Sequence, residues 1–269
     1  MKKLEGRVAV ITGGGSGIGL ATATRLADRG CHLALVDIDA ERLEAAAKDF
    51  AMRDVKTSTH VVDVADADAM AALPAAVIAE HGAVHIVVNN AGVSVAASFE
   101  DQSLDDLRWI VGINFWGVIH GCKFFLPELK KQDEAHIVNI SSMFGFLGVP
   151  SQSSYCATKF AVRGFTEALW TELQGTSVGI TSIHPGGINT NIASTMRSYD
   201  DELRDATVAG LAQSRAPSAV AKKIVAAIDG NRLRAIVGIE AYVAEWLKRL
   251  MPVTTHRLLA RRMNRFANR

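Results

Sequence analysis

Cysteine, net charge, aromatic residues and long apolar runs are all scarce in this chain, and each scarcity removes a class of protein. Three cysteines, Cys31, Cys122 and Cys156, form an odd, widely spaced set with no CxxC pair. Neither a disulfide framework nor a zinc site is expected, and a reducing cytoplasm fits best. A formal net charge of only +1 gives no overall field for gripping a polyanion, and no nucleic-acid partner is expected. From Met1-Lys2-Lys3 the chain runs into Val8 to Ile11 and then glycines, too short an apolar stretch for a signal peptide or a membrane span. No other segment reads as long enough to span.

What remains is a chain of 269 residues, 49% hydrophobic, long enough to bury a substantial core as one large α/β domain. Short apolar runs at Arg7 to Ile11, His32 to Val36, Thr59 to Val62, His85 to Val88, His136 to Ile140, Gly179 to Ile183 and Arg234 to Ile239 read as strands, with amphipathic segments between them. That βαβ rhythm implies a parallel sheet with helices on both faces, because parallel neighbours need crossover connections. Over 152–174, Tyr155, Phe160, Phe165, Leu169 and Leu173 recur at roughly helical spacing, and Gly175 is a natural stop. No domain boundary is visible before about residue 240.

The run from Thr12 to Gly19, TGGGSGIG, follows the first strand and opens the first helix. Gly13, Ser16, Gly17, Ile18 and Gly19 are therefore candidates for a phosphate cradle, in which pyrophosphate meets backbone amides at a helix N-terminus. A tight turn alone would use similar glycines, but Asp37 ends the second strand at the distance expected of a carboxylate that accepts hydrogen bonds from ribose hydroxyls. The same carboxylate would repel a 2′-phosphate, and Ser16 and Ile38 are neutral where a base would be wanted, so NAD is favoured over NADP. Asp63 and Val64 after the third strand, and Asn90, Ala91 and Gly92 after the fourth, lie at carboxyl ends of strands, where open α/β sheets place ligands.

Downstream, Tyr155 and Lys159 stand one helical turn apart, which brings a phenol close to an ammonium. Nearby positive charge favours phenolate, the form that makes tyrosine a usable proton acceptor. Lowering a phenol from pH ~10 to about 7 takes roughly 4 kcal/mol of differential stabilisation. One lysine falls short of that, and an oxidised nicotinamide would add a second positive charge.

TGGGSGIG, Asn89-Asn-Ala-Gly92, Asn114, Ser141-Ser142, Tyr155 with Lys159, and Pro185-Gly186 together make the sequence resemble the short-chain dehydrogenase/reductase family over residues 5 to 240. The resemblance implies a Rossmann-like, doubly wound parallel sheet of seven strands in a single catalytic domain, residues 1–240. It also implies Ser142 as the catalytic serine and Asn114 as the supporting asparagine, beside Tyr155 as general acid or base and Lys159. Ser142 would hydrogen-bond the substrate oxygen, with Ser141 the competing candidate pointing the other way along the strand. Asn114 would hold a water linking Lys159 to solvent. Pro185, Gly186, Ile188 and Thr190 would bind the nicotinamide carboxamide end. The expected reaction is hydride transfer between NAD and a small alcohol or ketone. A catalytically silent NAD-binding or interaction protein of the same fold is the alternative. Homodimers or homotetramers are usual in the family.

Residues 191 to 216, with Met196 and Tyr199, read as a substrate lid, and Phe144, Phe146, Leu147 and Val149 as either pocket lining or core. No metal site is expected: Gly82 separates His81 from His85, and Asp63, Asp66 and Asp68 lack the spacing of a calcium loop. Asn139-Ile-Ser141 is a glycosylation sequon inside a strand and is set aside.

Beyond residue 240 the resemblance ends, and residues 241–269 read as a basic amphipathic helical extension. Tyr242, Val243, Trp246, Leu247, Leu250 and Met251 form an apolar face that Pro252 interrupts. In a second helix Leu259, Ala260, Met263, Phe266 and Ala267 oppose Arg257, Arg261, Arg262 and Arg265. From residue 246 onward there are seven bases and no acid. Packing of these faces on the body or on another subunit is favoured over contact with an anionic membrane.

Overall fold

The computed structural model describes the backbone of residues 1–267 and the side chains of residues 1–260. Met263, Phe266, Ala267, Arg261, Arg262 and Arg265, which the amphipathic reading of the second tail helix uses, lie outside the described side chains.

Seven strands form one parallel sheet: β1 Val8–Thr12, β2 His32–Asp37, β3 Thr57–Val61, β4 Ile86–Asn89, β5 Ala135–Ile140, β6 Val178–Pro185 and β7 Arg234–Val237. Their order is β3-β2-β1-β4-β5-β6-β7, so the winding reverses between β1 and β4. A ligand crevice opens at the carboxyl ends of the strands beside such a switch point. The inner strands are continuous apolar runs because helices cover both faces: β1, VAVIT, is buried at every position, and so is β5. The edge strand β3, TSTHV, is polar and partly exposed.

One face of the sheet is covered by α1 Gly17–Ala27, α2 Ala40–Phe50 and α8 Pro217–Asp229, and the other by α3 Ala67–His81, α4 Leu104–Val111, α5 Gly117–Leu129 and α6 Ser153–Glu172. Leu26, Phe50 and Ile224 fill the first interface, and Met70, Phe125 and Leu129 the second. Each such side chain contributes about 1.5–3 kcal/mol of burial. Asp39 caps α2 and Asp66 caps α3 by accepting backbone N–H bonds, and α3 stops at Gly82, φ 81°.

A π turn, Gly112–Trp116, joins α4 to α5. The resulting helical run Leu104–Leu129 is, by length and composition, apolar enough to cross a bilayer, contrary to the sequence reading that no segment is. Here it is a core helix: α5 lies on β4 and α3, and α4 on α6.

Within α6, Val162 and Leu169 and, just beyond, Leu173 are buried, but Phe160 is exposed, so the apolar spacing overstated that face by one residue. Gly175 ends the segment at φ 83°. The 191–216 segment is tied down by a two-residue parallel pairing of Arg197–Ser198 with Val95–Ala96, followed by α7 Asp201–Ala212.

The tail forms α9 Ile239–Leu250 and α10 Pro252–Ala267. Of the two expected partners for its apolar face, the body or another subunit, the structure excludes the body for α9. Ala241, Ala244 and Glu245 face inward, while Tyr242, Val243, Trp246, Leu247 and Leu250 are exposed. The inner face is fixed by an ion pair, Arg234 to Glu245 at 2.5 Å, and by apolar contact with Phe146 and Leu147.

Candidate active site

At the carboxyl ends of the strands lies a cavity of about 700 Å³. Its floor near β1 is the glycine loop. Thr12 ties that loop to the exit of β4: its Oγ1 accepts the N–H groups of Asn90 at 2.9 Å and Ala91 at 3.0 Å, and Asn90 Nδ2 donates back to Thr12 O at 2.9 Å. A Cβ on Gly13, φ 64°, would come within 2.7 Å of Asn90 Nδ2, and one on Gly19 within 2.0 Å of Gly13 O. Only glycine fits at these two positions. Gly13, Ser16, Gly17 and Ile18 line the cavity, whereas Gly19 does not and serves the close approach of helix to loop. Ser16 caps α1 in extended conformation with its hydroxyl uncommitted to a backbone bond, so the hydroxyl and the helix N-terminus are both free for an anion.

Asp37 stands at the end of β2. Its Oδ2 accepts from Gly15 N at 3.1 Å and its Oδ1 from Asp39 N at 3.2 Å, which fixes the carboxylate against the loop. Arg42, from the first turn of α2, lines the same end of the cavity and pairs with Asp39, Nε to Oδ2 at 2.9 Å. The sequence reading missed this residue and found no base nearby. The signal was present, five residues after Asp37, but only the fold of the β2–α2 turn brings it back. Asp63 and Val64, Asn90 to Gly92, and Pro185, Gly186, Ile188 and Thr190 all line the cavity as expected.

Tyr155, Lys159 and Ser142 meet at the cavity's middle. Ser142 Oγ accepts from Phe144 N at 3.1 Å, and Ser142 O is held at 3.0 Å by His184 Nδ1. Since a carbonyl only accepts, His184 carries its proton on Nδ1 and offers Nε2 to Ser182 at 3.0 Å. Burial holds this imidazole neutral, its pKa pushed down to about 4. Ser141 is resolved otherwise: its hydroxyl donates to Lys159 O at 2.9 Å and is a structural bond between β5 and α6.

Lys159 Nζ donates to Ile140 O at 3.0 Å and sits 5.6 Å from the centre of the Tyr155 ring. Burial lowers its pKa to about 8. The Tyr155 phenol is raised to about 12, chiefly by burial and against the opposing hydrogen bond with Ser142. The expected lowering by Lys159 has no counterpart in this state, where desolvation governs the phenol and it keeps its proton. Asn114 lies in the π turn, fully buried, and does not line the cavity. Its amide is spent on Val93, accepting from the N–H at 2.8 Å and donating to the carbonyl at 2.9 Å, with Thr158 Oγ1 at 3.3 Å. This side chain clamps the β4 exit.

The far side of the cavity is apolar. Trp109, Ile113, Phe144, Ile192 and Met196 line it, and its polar members include Ser151, Thr195, Thr207 and the pair Ser94 and Gln152, which bond each other at 3.2 Å. Of Phe144, Phe146, Leu147 and Val149, Phe144 faces the cavity, Phe146 and Leu147 belong to the core, and Val149 packs against that core. No periodic signal marks Trp109 or Gln152, which only tertiary packing brings here. Above them the lid segment is latched to α4. Buried Asp106 accepts from Arg197 at 2.8 Å, from Ser103 Oγ at 2.9 Å and from the Tyr199 hydroxyl. Arg197 also lies 3.8 Å over the Trp109 ring. Ser58 bridges His60 and His81 on the remote β3 edge, and no group of three or more metal-ligating side chains occurs among the described residues.

Comparison with known proteins agrees with this geometry. The family model for short chain dehydrogenases matches residues 7–201. An oxidoreductase-named protein of Mycobacterium tuberculosis, SadH, is 40% identical over 272 residues, covering 99% of this chain and 98% of its own. A short-chain dehydrogenase/reductase from Burkholderia phymatum, solved with NAD, superposes with a TM-score of 0.87 at 30% identity, covering 93% of this chain and 95% of that one. An alcohol dehydrogenase from Thermococcus sibiricus, solved with 5-hydroxy-NADP, has a TM-score of 0.75 at 25% identity, covering 86% of this chain and 95% of that one. The chain belongs to the short-chain dehydrogenase/reductase family of oxidoreductases.

Proposed function

We propose that this protein is an NAD-dependent dehydrogenase or reductase that interconverts a neutral, largely apolar alcohol and the corresponding ketone. The observation that carries the reading is one continuous cavity with a phosphate cradle and a fixed ribose acceptor, Asp37, at one end, Tyr155 and Ser142 in its middle, and an apolar chamber beyond. The cradle fits a dinucleotide on its own geometry, since a side chain at Gly13 would collide with Asn90 and the α1 N-terminus has an uncommitted serine hydroxyl. Bound nicotinamide would supply or accept the hydride.

This chain's own part is to orient and to move a proton. Ser142 Oγ donates to the substrate oxygen and stabilises charge there. Tyr155 gives its phenolic proton to that oxygen during reduction, or removes it during oxidation. Lys159, held by Ile140 O, favours phenolate in the second case, and His184 keeps Ser142 in place through its backbone carbonyl. Buried, free Cys31, Cys122 and Cys156 support a cytoplasmic setting, and exposed Trp116 at the end of the π turn and Phe160 on α6 support a homo-oligomer. The test is a screen of secondary alcohols and ketones with NAD and NADP, read at the absorbance of reduced nicotinamide. Turnover of at least one pair supports the reading, while cofactor binding without turnover across the screen favours the silent alternative.

A further inference from the structure

Helix α9 is inside out. At 100° per residue Ile239, Tyr242, Val243, Trp246, Leu247 and Leu250 fall within one face roughly 140° wide. That face points away from the body: Ile239 is 73%, Trp246 56% and Leu250 71% exposed. The inward face carries the small or charged residues, Ala241, Ala244 and Glu245, the last paired with Arg234. A helix that only had to cover its own domain would place the large side chains inward. The corner into α10 is also built, with Lys248 bonded to Pro252 O at 3.1 Å and to His256 at 2.7 Å. The outward face is thus presented on a fixed support and continues through exposed Val253 and Leu258.

Charge selects what covers it. Residues 246–269 hold seven bases and no acid. A two-fold contact between copies sets the same patch against itself, so a second chain here would bring two acid-free basic segments together. An anionic bilayer takes both properties at once: the interface accepts the Tyr242, Trp246 and leucine side chains, and the lipid headgroups neutralise the bases. We propose that the outward face of α9 and the basic segment after it form a docking surface for an anionic lipid bilayer.

The full-length protein is floated with vesicles of phosphatidylcholine alone and of phosphatidylcholine with phosphatidylglycerol, at low and high salt. The expected result is flotation with the phosphatidylglycerol vesicles, reversed by salt, and little with phosphatidylcholine alone. Trp246→Glu with Leu250→Glu abolishes it while the melting curve and the oligomeric mass stay those of the parent, because both residues are exposed. Arg257→Gln, which alters no apolar residue, lowers binding roughly fivefold. Absence of flotation with anionic vesicles overturns the proposal, as does flotation unchanged by the double substitution. If the double substitution instead splits a stable oligomer of a protein that does not float, a second copy covers the face and the proposal is wrong.

Discussion

Replacing Asp37 with Asn changes one charge and almost no volume, and so isolates what the carboxylate does to cofactor choice. Asp37 is immobilised by two backbone N–H groups, from Gly15 at 3.1 Å and Asp39 at 3.2 Å. It cannot easily swing away from a phosphate placed on the adenosine ribose. At a separation of about 5 Å and an effective dielectric near 20, each unit of phosphate charge meets roughly 3 kcal/mol of repulsion. Hydrogen bonds from ribose hydroxyls to a charged acceptor contribute about 1.5–3 kcal/mol in the other direction. Together these predict a kcat/KM for NAD at least ~100-fold above that for NADP. Asp37→Asn removes the repulsion but keeps an acceptor, so NADP efficiency rises by about tenfold or more while NAD falls by less. The guanidinium of Arg42 also lines this end of the cavity, paired with Asp39, a contact that Asp37→Asn leaves in place. Initial rates with both cofactors on one verified substrate measure all four values. Equal efficiencies in the parent protein, or an unchanged ratio in Asp37→Asn, would refute the reasoning.

Ser142→Ala leaves the Ser141 bond to α6 intact and removes the donor to the substrate oxygen together with the acceptor for Phe144 N, so kcat should fall on the order of 100-fold with little change in NAD affinity. Asp106→Ala releases Arg197 and Tyr199 together, which should speed limited proteolysis within 191–216 and raise KM, because among the described residues only the pairing of Arg197–Ser198 with Val95–Ala96 then ties that segment to the β4 exit. An unchanged cleavage pattern would count against the latch. Burial pushes His136 down to about 3 and His184 to about 4 from an ordinary 6.5, so both stay neutral in the fold while the unfolded chain takes up protons as pH falls below 6.5. Their stabilisation is present above that pH and is lost progressively toward pH 4, at about 1.4 kcal/mol per unit for each group. Denaturant titrations of His136→Gln should show that slope reduced by one group, and an unaltered slope would disprove the assignment.

The sheet was legible because parallel strands buried on both faces must be apolar throughout, and Val8 to Thr12 or Ala135 to Ile140 leave few alternatives. The site was legible where one backbone demand fixes a residue type, as at Gly13, or where two reactive groups share a helix turn, as at Tyr155 and Lys159. Arg42, Trp109 and Gln152 were not legible, since each reaches the cavity through the packing of a separate element rather than through spacing along one. Asn114 was found, but its partner Val93 was not, and the partner decides what the amide does. The long helix was missed because its halves meet at a π turn, which no periodicity announces. Periodicity in the tail located the apolar face of α9 but not its direction. Direction depends on Ala241 and Ala244 fitting closely against Phe146 and Leu147 while Glu245 reaches Arg234.

Turnover by Tyr155→Phe, measured beside the parent protein on the same alcohol and NAD, tests the central chemistry most directly. The substitution keeps the ring that packs edge-on against Phe144, 6.2 Å between centres, and removes only the proton-bearing oxygen. NAD binding by calorimetry should survive, while kcat falls on the order of 1000-fold, within the range general acid–base catalysis supplies. A variant that binds NAD and retains near-parental kcat would contradict the assignment of proton transfer to Tyr155.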